Sequence, residues 1–104
     1  MIVYEVTLRI ERDIAAEFRS WFEQHVVRML AQPGFESAEV FEIDDDVSAG
    51  PACSLCAQYR LRDARALDAY LLEHAAHMRA EGVERFGSRF SAQRRVLRSL
   101  FAAP

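Results

Sequence analysis

Ile2-Val3-Tyr4-Glu5-Val6-Thr7-Leu8-Arg9-Ile10 opens the chain with a strict alternation: Ile2, Tyr4, Val6, Leu8 and Ile10 fall on one side, and Val3, Glu5, Thr7 and Arg9 on the other. A period of two sends successive side chains to opposite faces of a strand, so this segment reads as a strand with one wholly apolar face that needs a cover. The next segment supplies one. Asp13 stands at the position of a helix N-cap, and Ile14, Phe18, Trp21, Phe22, His25, Val26, Met29 and Leu30 recur at helical spacing until Pro33-Gly34 ends the run after Gln32. Phe35 to Ile43 reads as a second strand whose less regular alternation suggests a bulge. Asp44-Asp45-Asp46 through Ala49-Gly50-Pro51 has turn composition and is expected to join two strands as a hairpin.

The second half repeats this organisation. Cys53 to Leu61 reads as a third strand, with Leu55, Ala57, Tyr59 and Leu61 on one face and Cys56, Gln58 and Arg60 on the other. Asp63 is placed to cap a second helix with the stripe Leu67, Tyr70, Leu71, His74 and Met78, ending near Gly82. An irregular stretch from Gly82 to Phe90 then leads into a fourth strand, Phe90 to Leu100. Trp21, His25 and Met29 recur as Tyr70, His74 and Met78, each trio at i, i+4, i+8 along one helical stripe that drifts about 40° per step. The order βαββαβ predicts an α+β, ferredoxin-like fold. With right-handed crossovers its four-stranded antiparallel sheet has the first and third strands central and both helices on one face. The 104 residues fit one domain spanning 1–104.

Composition narrows the function classes. Hydrophobic residues make up 51% and charged residues 28%, a balance too apolar for disorder. No apolar run approaches the roughly 20 residues of a membrane helix, and the opening residues lack the basic and apolar regions of a signal peptide. The chain is therefore expected to be cytoplasmic and unprocessed, without membrane partners. A net charge of −3 argues against a dedicated nucleic-acid binder. All 13 basic residues are arginine, with no lysine and no asparagine anywhere, a bias that weakens any single arginine as a sign of phosphate recognition.

The sheet face away from the helices would carry Val3, Glu5, Thr7, Arg9, Cys56, Gln58 and Arg60. That mixture is too apolar for a wetted face and too charged for a core, which favours a homodimer with this face against its two-fold mate. Glu5 or Gln58 of one chain would meet Arg60 or Arg9 of the other, with Glu5 and Arg60 also able to pair within the sheet. Such an interface should bury at least about 1,000 Å².

The opening Ile2-Val3-Tyr4-Glu5-Val6, the strand Ala57-Gln58-Tyr59-Arg60, the helix Tyr70-Leu71-Leu72-Glu73-His74-Ala75 and the closing Arg85-Phe86-Gly87-Ser88-Arg89-Phe90-Ser91 together resemble a family of short bacterial proteins known as domain of unknown function four-two-eight-six. The resemblance spans nearly the whole chain and implies no established activity. The architecture is similar to that of the dimeric α+β barrel proteins, which include small cofactor-free monooxygenases and haem-degrading enzymes. This likeness of fold implies a ligand pocket between helices and sheet, where Trp21, His25, Tyr70 and His74 would point, but transfers no catalytic residue.

Other constellations are weighed by their geometry. A histidine on such a stripe caps a core more often than it serves a ligand, and Trp21, if buried like other large core aromatics, should cost roughly 3 to 5 kcal/mol on truncation to alanine. Cys53-x-x-Cys56 with His74-x-x-His77 imitates a zinc pattern, yet strand residues three apart point to opposite faces, and no helix N-terminus follows to activate a thiol. No metal and no cofactor are expected. Arg85, Arg89, Arg94, Arg95 and Arg98, interleaved with Phe86 and Phe90, could hold an anion, with Arg85, Arg89 and Arg94 the candidates, although alternation splits the later ones between two faces. The acidic Asp44 to Asp46 lacks the glutamate of a calcium loop. Nucleophile-elbow, phosphate-loop and dinucleotide motifs are absent. The leading expectation is a homodimeric protein that binds a small apolar or anionic ligand. Its rivals are a cofactor-free monooxygenase-like or haem-binding enzyme using His25 or His74, and an anion or RNA binder using the C-terminal arginines.

Overall fold

A computed structural model describes residues 1–44 and 52–104. The elements run β1 (Ile2–Glu11), α1 (Ala15–Leu30), β2 (Phe35–Glu42), β3 (Ala52–Leu61), α2 (Ala64–Glu73), α3 (Ala75–Phe86) and β4 (Phe90–Arg98), with short 3-10 turns at Arg12–Ile14 and Gly87–Arg89. The strands form one antiparallel sheet in the order β2-β3-β1-β4, so the two strands with the cleanest alternation, β1 and β3, lie at its centre as expected. The bulge foreseen in β2 falls between Phe35 and Ser37. Ile43 N–H still donates to Ser54 at 3.0 Å beyond the end of β2; the hairpin tip expected from Asp45 to Pro51 lies outside the described residues.

The apolar side of β1 and Leu55, Ala57, Tyr59 and Leu61 of β3 are buried against Phe18, Phe22 and Met29 of α1, Leu67 and Tyr70 of α2, and Met78 and Phe86 of α3. Gly34, at φ +85°, turns the chain out of α1 where no other residue does so without strain, and a Cβ there would sit 2.3 Å from that of Ala66.

Three local expectations need correction. Asp13 does not cap α1: it lies within the 3-10 turn, the cap position falls to Ile14, and the Asp13 carboxylate is taken by Arg89 from the far end of the chain. Asp63 does cap α2, its Oδ1 accepting from Ala66 N–H at 2.9 Å. The second helix is not continuous. It breaks at His74 (φ −127°, ψ −23°), and the second piece runs on through the stretch read as irregular to Phe86. This break takes His74 out of the stripe formed by Tyr70 and Met78, which remain buried while His74 is half exposed beside Glu73. Finally, Glu5 does not pair with Arg60. Register sets Glu5 opposite Gln58 on β3 and Arg95 on β4, and Arg60 opposite Val3.

Candidate functional site

The antiparallel register sends Phe90, Ala92, Arg94, Val96 and Arg98 of β4 to the helix side of the sheet, together with Tyr4, Val6, Leu8 and Ile10. Neither α1 nor α3 fills the space above β4. What remains is a cleft of about 320 Å³ whose walls include Phe18, Trp21, Met78 and Phe90, with Arg79 of α3 and Arg94 of β4 also lining it. Arg79 donates to the Tyr4 hydroxyl at 3.0 Å, while Arg94 makes no ion pair among the described residues. Gly82 lets α3 approach closely here, because a Cβ would lie 3.0 Å from the Phe90 ring and 3.2 Å from that of Trp21. A second groove, about 410 Å³, runs between α1 and the β2 edge, bordered by Phe22, Val26, Val40 and Leu55 with Arg19, Glu23 and Glu42.

The four expected pocket residues divide by position. Trp21 is half-buried on the cleft wall and stacks on the His25 ring, with centroids 4.8 Å apart. His25 lies behind it between α1 and α3, its Nδ1 3.2 Å from Glu81, which also receives Arg28 at 3.0 Å. Burial lowers the His25 pKa despite the opposing pull of the Glu81 carboxylate, so the imidazole is neutral at neutral pH and donates its Nδ1–H to Glu81. Burial works against the Glu81 charge, but the bonds from Arg28 and His25 hold its carboxyl below the ordinary glutamate value. Tyr70 is deep in the core, where its hydroxyl donates to Met29 Sδ at 3.3 Å and burial pushes its pKa up to about 12. Tyr59 is raised by burial too. The structure thus joins Trp21 and His25 and sets Tyr70 and His74 apart from them.

Of the anion candidates, Arg85 is 3.3 Å from Glu17, and Arg89 bonds both Glu11, at 2.8 Å, and Asp13. Arg94 is the candidate placed at the cleft. Cys53 packs toward the core and Cys56 lies on the opposite face beside Glu5 and Thr7, as alternation requires; burial first, then the Glu5 charge, raises the Cys56 thiol pKa and keeps it protonated. Arg79, Gly82 and Phe90 escaped the sequence reading as site residues. A glycine inside an otherwise helical pattern was the available signal, since it marks close approach as readily as a helix end.

On the open face, Glu5 is only 4% exposed although no helix covers it. Arg95 Nε donates to it at 2.5 Å and Gln58 at 2.9 Å, and these bonds, Arg95 first, hold its carboxyl below the ordinary value. Ser54 is buried on the same face, while Val3, Thr7, Cys56 and Leu97 are half-buried there.

Residues 1–100 match the family model described as "Domain of unknown function (DUF4286)". No curated protein matches the chain by sequence. Among solved structures the fold is similar to a putative antibiotic biosynthesis monooxygenase from Deinococcus radiodurans, at 13% identity and TM-score 0.71 over 100% of this chain and 97% of that one. It is also similar to a dimeric ferredoxin-like protein from an uncultured marine organism, at 12% identity and TM-score 0.73 over 98% and 97%. A third similar structure is SnoaB, a cofactor-independent oxygenase from Streptomyces nogalater, at 17% identity and TM-score 0.67 over 99% and 97%.

Proposed function

The chain belongs to this family of unknown function (DUF4286), and we propose that it acts as a homodimeric binding protein whose α3–β4 cleft takes a small, flat apolar ligand bearing an anionic group. The cleft composition carries this reading: aromatic and thioether walls from Phe18, Trp21, Phe90 and Met78 meet the guanidinium of Arg94, which no carboxylate neutralises among the described residues. Its volume, about 320 Å³, falls at the small end of the usual range for ligand pockets. The half-buried Val3, Thr7, Cys56 and Leu97 around the Glu5–Arg95 pair support the homodimer, as does the likeness to a marine protein described as dimeric.

Trp21 is the sole tryptophan, so its fluorescence reports the cleft directly. Titration with the aromatic sulfonate 1-anilinonaphthalene-8-sulfonate should quench it saturably, and Arg94→Ala should weaken binding on the order of tenfold through loss of a charge-assisted contact. Quenching that never saturates, or equal affinity in the variant, would refute the site.

A second reading, an oxygenase or a haem-binding enzyme, draws on the His25–Trp21 stack at the cleft wall and on the likeness to proteins described as monooxygenases. Oxygen uptake with an electron-rich quinol, or a Soret band on haem titration lost in His25→Ala, would favour it over simple binding.

A further inference from the structure

The cleft above β4 holds two positive charges that its surroundings leave unanswered. Arg94 has no ion pair among the described residues, and Arg79 has only the Tyr4 hydroxyl, at 3.0 Å. Both guanidinium groups line the cleft, and no aspartate or glutamate lines it with them. The sequence explains why. The residues three and four positions from Arg79 along α3 are Ala75, Ala76, Gly82 and Val83, and the helix side of β1 and β4 carries no acid from end to end. Glu81, two positions from Arg79 on α3, is taken by Arg28 and His25.

The two charges also share one end of the cleft. Register sets Arg94 opposite Val6, Ala92 opposite Leu8 and Phe90 opposite Ile10, so the cleft side of β4 passes from a cation to an aromatic ring over four residues, about 13 Å. Tyr4, which holds Arg79, is the next residue beyond Val6 on that side of β1, so Arg79 comes to the Arg94 end. Both guanidinium charges act on the Tyr70 hydroxyl, opposing the rise that burial imposes on it. Toward the other end Phe90 and Trp21 stand around Phe18, with centroids 5.1 and 5.5 Å from its ring.

We propose that the cleft takes a flat ring compound carrying a doubly charged phosphate monoester, its phosphate between Arg79 and Arg94 and its ring against Trp21 and Phe90. This deepens the ligand site proposed above and rests on it. A carboxylate or sulfonate brings one charge and leaves one guanidinium unanswered. A phosphate monoester carries close to two charges above its second pKa of about 6, and its three terminal oxygens can accept from groups arriving from two different elements, here α3 and β4.

Calorimetric titration at pH 8 and fixed ionic strength tests this with 1-naphthyl phosphate, with 1-naphthyl sulfate, which has the same ring and one charge less, and with inorganic phosphate, which has no ring. The proteins are the wild type, Arg79→Ala and Arg98→Ala. Arg98 lies on the helix side of β4 but does not line the cleft, so its loss removes an equal charge from outside the site. The wild type should bind the naphthyl phosphate at least about tenfold tighter than either of the other two. Arg79→Ala should bring the phosphate ester level with the sulfate, whose continued binding shows that the variant is folded, and Arg98→Ala should keep the preference. Equal affinity of the wild type for the two esters would overturn the doubly charged ligand and leave the cleft as a site for a singly charged one. A preference that survives Arg79→Ala, or that Arg98→Ala abolishes as fully, would overturn the pairing of Arg79 with Arg94. Inorganic phosphate binding as tightly as its ester would overturn the part given to the ring. Naphthyl esters that fail to bind while 1-anilinonaphthalene-8-sulfonate still saturates would overturn this ligand class alone, and failure of all three would remove the cleft site with it.

Discussion

Truncating Phe18 should be the most damaging single aromatic deletion in this protein, and its comparison with Trp21 tests where the packed core ends and the cleft begins. Phe18 is fully buried, with ring centroids 5.0 Å from Phe86, 5.1 Å from Phe90, 5.5 Å from Trp21 and 5.8 Å from Phe22. Phe18→Ala removes a ring shared by four others, so the loss should fall in the upper part of the usual range, about 3 to 5 kcal/mol. Against a total of about 5 to 15 kcal/mol for a domain of this kind, the variant folds but melts lower by on the order of 20 °C. Trp21 is larger but only half-buried, because one side faces the cleft. Scaling by buried area gives about 1.5 to 3 kcal/mol for Trp21→Ala, less than a fully buried tryptophan would cost. The measurement is urea unfolding followed by circular dichroism, since Trp21→Ala abolishes the fluorescence probe, at one fixed protein concentration because association shifts apparent stability. A Trp21→Ala loss equal to or greater than that of Phe18→Ala, with unchanged denaturant slope, would show that the ring is enclosed and that the cleft does not exist in solution.

The His25 imidazole should titrate below 6.5 by NMR, since burial outweighs Glu81; its contribution to stability is complete above the unfolded value and declines as pH falls through the lowered folded one, and a value above 6.5 would contradict this. Glu5, held below 4.5 by Arg95 and Gln58, contributes stability above that value and loses it as pH falls through its folded value, so Glu5→Gln should flatten the acid limb of melting temperature against pH; an unchanged limb would place the acid sensitivity elsewhere. Gly34→Ala should cost at least about 1 to 3 kcal/mol in thermal or urea unfolding, from the positive φ and the contact with Ala66; a neutral or stabilising result would mean the turn can be rebuilt.

Most of the architecture was legible because it rests on periodicity. A strand with Ile2, Tyr4, Val6, Leu8 and Ile10 on one side must be covered on that side, and the helical run from Phe18 to Met29 supplies the cover. The candidate site was legible only in pieces. Trp21 and Arg94 were singled out for separate reasons, one on a helix and one on a strand, and nothing in their spacing tells that β4 brings them to the same cleft. Tyr70 and His74 were assigned to the stripe by a repeat that the break at His74 interrupts, and neither proline nor glycine marks that break.

Local pattern therefore determined the order of elements, the strand faces, the stop at Pro33-Gly34 and the cap at Asp63, because each depends on residues within a few positions of one another. Tertiary structure decided the rest. Asp13 and Asp63 look alike in sequence, yet Arg89 captures the first and leaves the second to cap its helix. Glu5 had a plausible partner in Arg60, but its bonds go to Gln58 and to Arg95, a residue 90 positions away. Charge partners, helix breaks and cleft walls depend on which distant strand arrives beside which. That is fixed by packing one layer of helices onto one twisted sheet, a global condition that no local window of sequence contains.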